Sequence, residues 1–70
     1  MNKNELRAEM ARHGDTNETL AKYLGLSAPS FSKKLNAERD FRQSEIMKIR
    51  DRYSLSAEDV VRIFFTFEVA

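Results

Sequence analysis

The chain has no cysteine, one histidine, one proline and two glycines among its 70 residues. Without cysteine there is no disulfide and no thiolate zinc site, and His13 alone makes no cluster of imidazole ligands, so no metal and no other cofactor is expected. Long apolar runs are also missing. The longest, Ile63 to Phe65, is far too short to span a membrane, and the opening MNKNELRAEM lacks the apolar core of a signal peptide, which predicts a cytoplasmic protein with no membrane partner. No Gly-rich phosphate loop, paired-carboxylate site or nucleophile motif is present, and the serines fall at helix caps or on outward helix positions. His13 has no nucleophile at a recognisable spacing and suits the negative end of a helix dipole better than proton transfer. The expectation is a protein that is not an enzyme and takes no small-molecule substrate.

Charge of one sign is lacking overall, because 12 basic and 11 acidic residues give a formal net charge of +1. Its distribution is uneven. From Thr19 to Ala37 the charged residues are Lys22, Lys33 and Lys34 with no acid, whereas from Tyr53 onward Arg62 stands against Glu58, Asp59 and Glu68. A basic central segment is either a surface for phosphates or a set of ordinary solvated lysines.

What is present is helical patterning in a single domain, residues 1–70, with no internal repeat or low-complexity tract. A first helix is predicted from about Lys3 to His13, with Leu6 and Met10 inward and Gly14 as its stop. Asp15 with Glu18 has capping-box spacing, and Thr16 is an equally good N-cap; either places Asn17 in the first turn of a second helix, whose Leu20, Ala21 and Leu24 form the apolar face. Gly25 permits the left-handed backbone that ends it. Ser27 is a good N-cap for a third helix, Pro29 is tolerated in its first turn, and Phe31 with Leu35 makes an inward i, i+4 pair. Two short helices around a glycine turn read as a helix-turn-helix.

The third helix then turns Ala28, Pro29, Ser32, Lys33 and Asn36 outward, a face without acids or bulky apolar groups. A helix inserted in a DNA major groove needs small residues for close approach and donors for base edges. Ser32 and Lys33 are the chief donors, Ala28 and Pro29 offer apolar contact, Asn17 and Asn36 give support, and Ser30 is counted with them. Lys34 is expected to point sideways and meet the phosphate backbone. In the following connection Phe41 reads as a core plug, while Arg39 and Arg42 suit phosphates or pairing with Glu38, Asp40 or Glu45.

A fourth helix, from about Gln43 or Ser44 to Tyr53, has Ile46, Ile49 and Tyr53 inward and a solvated face of Lys48, Arg50, Asp51 and Arg52. Leu55 returns to the core. Ser56 with Asp59 caps a fifth helix with Val60, Val61 and Phe64 as its apolar positions. Ile63, Phe65, Phe67 and Val69 then alternate, a period-two pattern that suits an extended strand, and this apolar surplus predicts a dimer interface in which residues 66–70 take part.

The spaced elements Thr16-Asn17, Leu20-Ala21, Leu24-Gly25-Leu26-Ser27 and Phe31-Ser32 resemble the helix-turn-helix of the Cro/CI (XRE) family of phage and bacterial repressors. That family commonly shows Thr-Gln, Leu-Ala, Leu-Gly-Val-Ser and Ile-Ser at these places. The ending SLSAEDVVRIFF is similar to that of small repressors from phages of Gram-positive bacteria. The resemblance implies an all-α, five-helix, lambda-repressor-like domain, and a transcriptional repressor that binds a double-stranded DNA operator as a homodimer, its third helix in the major groove. Asn17 and Ala28 replace longer or more polar family residues, which shifts weight to shape readout. Where many relatives bury an Arg–Glu pair this chain has Met10 and Leu35, expected to meet as an apolar pair. Ala37 stands where Gly is common, so the third helix is expected to run on or to end without a left-handed residue. Two other functions compete: a DNA-binding antitoxin or accessory regulator whose apolar C-terminus grips another protein, and a helical interaction module that binds no nucleic acid.

Overall fold

The computed structural model describes residues 1–65 and contains, among them, five helices and no strand. They are α1 Lys3–Arg12, α2 Asn17–Leu24, α3 Ala28–Leu35, α4 Gln43–Tyr53 and α5 Ala57–Phe64. Each helix contributes one of the five largest fully buried side chains: Leu6, Leu20, Phe31, Ile49 and Ile63 in chain order. Burial of such a side chain is worth about 1.5–3 kcal/mol, so the five elements share one core rather than forming a pair and a separate bundle. Met10 and Leu35 are both buried in that core. Phe41, from the α3–α4 connection, meets Phe31 edge-on at 6.2 Å and Phe64 at 5.8 Å, and thereby joins α3 to α5.

The caps explain where helices start. Thr16, not Asp15, caps α2: its hydroxyl accepts from the Thr19 amide at 3.2 Å, and Thr19 Oγ1 accepts from the Thr16 amide at 2.9 Å. Ser27 caps α3 and Ser56 caps α5, the latter in a reciprocal box with Asp59. Helix α4 has only half of such a box. Glu45 accepts from the Arg42 amide at 2.8 Å, but Arg42 has no side-chain acceptor to return.

The helix ends correct two expectations. Helix α3 stops at Leu35, and Ala37 adopts a left-handed φ of 64°, with the Glu38 amide donating back to the Lys33 carbonyl at 2.9 Å. The hydrogen-bonded end of the helix therefore holds, although alanine fits that conformation less well than glycine. Ser54, at φ 53°, ends α4 in the same way. At the C-terminus the period-two reading fails where it can be examined. Ile63 and Phe64 are helical and buried, because Val60, Ile63 and Phe64 follow i, i+3 and i+4 on the inward side of a helix already started by the Ser56 cap. Ile63 is thus core, not dimer interface, and its carbonyl also accepts from the Asn2 amide at 2.7 Å, which ties the start of the chain to α5. Val61, expected inward, is 55% exposed. Phe65 is 57% exposed. Phe67 and Val69 lie outside the described residues. No helix among the described residues is long and apolar enough to cross a membrane.

Candidate nucleic-acid interface

Helices α2 and α3 meet across three residues. Gly25 ends α2 at φ 73°, and the Leu26 amide donates to the Ala21 carbonyl at 2.9 Å. Leu26 then packs on the core and Ser27 starts α3, so the angle between the two helices is set by a hydrogen bond, an apolar contact and a cap within three residues. This fixes which side of α3 faces out. With Phe31 and Leu35 buried, Ala28, Pro29, Ser32, Lys33 and Asn36 are exposed, and Ser30 is half-buried with its amide donating to Ser27.

Lys34 is the exception among the sequence-predicted residues. It is only 8% exposed, and its Nζ lies 2.7 Å from Oε1 of Glu45, the oxygen that also accepts from the Arg42 amide. Burial raises the Glu45 carboxyl, but the Lys34 ammonium and the Arg42 N–H outweigh it and hold the group below its ordinary value. A lysine so engaged cannot meet a phosphate; it joins α3 to α4 instead. The sequence carried the signal, since Phe31, Lys34 and Leu35 occupy i, i+3 and i+4 and so share the inward stripe.

Asn17 is exposed at the first position of α2, where the helix leaves amide N–H groups without intrahelical acceptors. The loop before it is held by Asp15. That carboxylate accepts from Arg52 Nε at 2.7 Å and Nη2 at 2.8 Å, from the Tyr53 hydroxyl at 2.6 Å and from Thr19 Oγ1 at 2.8 Å. The Arg52 hydrogen bonds above all keep Asp15 well below the usual carboxylate range. Burial, and then the bond to Asp15, push the Tyr53 phenol up. Arg52 also lies over the Tyr23 ring at 4.5 Å, and His13 stacks on Tyr53 at 4.5 Å. Arg52, expected on a solvated face, therefore clamps the entry to α2 against the end of α4. Residues 15 and 52 are too far apart for local spacing to reveal the pair.

Arg39 and Arg42 are exposed and form no salt bridge among the described residues: Glu38 and Asp40 do not close on either, and Glu45, although it lies within reach of the Arg42 charge, is paired with Lys34. Asn36, expected to support the donors of that face, accepts from Arg7 of α1 at 2.8 Å through its Oδ1, which leaves its Nδ2 hydrogens as donors.

Ion pairing sharpens the charge pattern. Glu9 pairs with Arg12, Asp15 with Arg52, Glu45 with Lys34, Asp51 with Arg50, and Arg62 with both Glu5 and Asp59. Among the described residues this leaves Glu18, Glu38, Asp40 and Glu58 as the acids without a basic partner, against Lys3, Arg7, Lys22, Lys33, Arg39, Arg42 and Lys48. The charges left without a partner are thus cations more often than acids.

No family model, curated protein or solved structure matches the chain. The functional reading accordingly rests on the residues themselves and on the geometry just described.

Proposed function

We propose that the chain is a sequence-specific DNA-binding transcriptional repressor of the Cro/CI type, with a lambda-repressor-like domain in which α2 and α3 are the helix-turn-helix. It binds operator DNA as a homodimer, α3 of each protomer entering the major groove at half-sites about 34 Å apart. Repression follows from occupying a site that overlaps a promoter, and no chemistry is involved. The observation that carries the reading is the outward face of α3: small residues, two strong donors in Ser32 and Lys33, and no acid.

Side-chain roles follow from exposure and chemistry. Ser32 and Lys33 donate to base edges, while Ala28 and Pro29 offer apolar contact suited to a thymine methyl. Asn17 and the unpaired amides at the start of α2 take a phosphate, as do Arg39 and Arg42. With so few base-reading donors, positioning and DNA deformability supply much of the specificity.

Equilibrium titration of a duplex at rising salt tests this reading. Each neutralised phosphate contributes about 0.9 to the logarithmic salt slope, so affinity falls steeply with salt. Binding that ignores salt, or no binding at all, counts against it.

A second reading, a DNA-binding antitoxin or accessory regulator, is favoured by one observation. Phe65 borders a mainly apolar groove of about 420 Å³ lined also by Phe41, Ile46 and Phe64, with Arg39 and Asp40 among its charged lining residues. In that case the groove receives another protein, and the isolated chain is monomeric in solution rather than dimeric.

A further inference from the structure

Helix α1 carries its charges on two sides. Glu5 and Glu9, four residues apart, are engaged by Arg62, and Glu9 also by Arg12. Lys3 and Arg7, likewise four apart, are exposed on the opposite side and have no acidic partner among the described residues. Arg12, Arg50, Arg52 and Arg62 each pair with a carboxylate. Arg7 instead donates one N–H, from Nη2, to the neutral amide oxygen of Asn36, at 2.8 Å and 29 residues away.

Asn36 is the C-cap of α3 and stands one turn beyond Lys33 on its outward face. The Arg7 guanidinium is therefore fixed at the edge of that face. A neutral partner leaves its charge uncompensated, and four of its five N–H donors remain for another acceptor. That combination suits a dianionic or monoanionic oxygen cluster approached side-on, the geometry of an arginine fork on a phosphodiester.

We propose that Arg7 and Asn36 form a phosphate subsite, in which Asn36 holds the Arg7 guanidinium for a DNA backbone phosphate flanking the groove that α3 enters. This rests on the DNA-binding reading above and changes the part Asn36 plays in it: the residue positions Arg7 and does not read a base. It also makes α1 part of the interface, so that one protomer engages the backbone from Lys3 and Arg7 as well as from Arg39 and Arg42.

The test is a set of salt titrations of the full chain on one duplex, repeated at fixed salt on a panel of duplexes of different sequence, with wild type, Arg7→Ala, Asn36→Ala and the double variant. Both residues are exposed, so thermal unfolding midpoints should coincide and report that all four fold. Arg7→Ala should lower affinity about tenfold and reduce the salt slope by about 0.9 per protomer. Asn36→Ala should lose affinity equally across sequences, and the double variant should lose no more than Arg7→Ala. Wild-type binding with an unchanged slope in Arg7→Ala overturns the subsite and leaves the DNA-binding reading standing. Additive losses, or an altered sequence preference in Asn36→Ala, overturn the positioning role. A wild type without salt-dependent binding overturns both.

Discussion

Lys33 and Lys34 are neighbours on α3 with opposite surroundings: Lys33 is exposed, whereas Lys34 Nζ lies 2.7 Å from Glu45 Oε1 at the seam between α3 and α4. The consequence is a separation of function from stability at adjacent positions. Lys33→Ala should weaken DNA binding, relax sequence preference if Lys33 reads a base, and leave the unfolding midpoint in place. Lys34→Ala strands the Glu45 carboxylate and should destabilise by about 2–3 kcal/mol. Replacing both partners, as in Lys34→Met with Glu45→Leu, should recover only part of that loss, because the apolar pair leaves no stranded charge but Glu45→Leu also removes the acceptor of the Arg42 amide at the start of α4. Denaturant unfolding of the three variants checks the order.

The Asp15–Arg52 clamp gives the fold a signature in acid. Asp15, Glu45 and Asp59 all have carboxyls held below their ordinary values, so they bind protons more weakly in the folded chain than in the unfolded one. Their contribution is complete above the unfolded carboxylate range, about pH 4, and is lost as pH falls below it through the folded values. Asp15→Asn should lower stability at neutral pH and flatten its fall between about pH 5 and pH 2. Thermal midpoints across that range measure the difference.

Two non-glycine residues hold left-handed backbone, Ala37 at φ 64° and Ser54 at φ 53°. Such a conformation costs an L residue about 1–2 kcal/mol, partly offset in a glycine variant by the greater freedom of its unfolded chain. Ala37→Gly and Ser54→Gly should each stabilise by about 0.5 kcal/mol, a rise of a few degrees in Tm. Ala37→Val should move the midpoint the other way.

Ile63 and Phe65 should divide as core and surface. Ile63→Ala removes a fully buried side chain and should cost about 3 kcal/mol. Phe65→Ser should change the unfolding midpoint little. If Phe65 belongs to the dimer contact of the proposed repressor, the same variant should halve the mass measured in solution by sedimentation.

The helices were legible because their signals are local. Ser27 before Pro29, Ser56 before Asp59, and Gly25 after Leu24 each act within one turn, and the inward spacing of Leu20, Phe31, Ile46 and Ile49 is a property of one helix at a time. The outward face of α3 followed directly from that spacing. Lys34 departs from the expectation because its place between Phe31 and Leu35 on the inward stripe, not its charge, decides its contacts. Ile63 departs from the expectation because the helix begun by the Ser56 cap continues through it, although the alternation of apolar residues that runs to Val69 in the sequence has period two. The contacts of Asp15 with Arg52, Arg7 with Asn36 and Arg62 with Glu5 join residues 37, 29 and 57 positions apart, and no local pattern announces them. Pairing also decides which charges are left without a partner, and composition does not show that.

The central claim is that α3 reads DNA as one half of a symmetric pair, and selection of bound duplexes from a random-sequence pool tests it most directly. The account predicts enrichment of a two-fold-symmetric motif whose half-site centres are about 34 Å apart, one turn of the double helix. Recovery of no enriched sequence from the pool contradicts it.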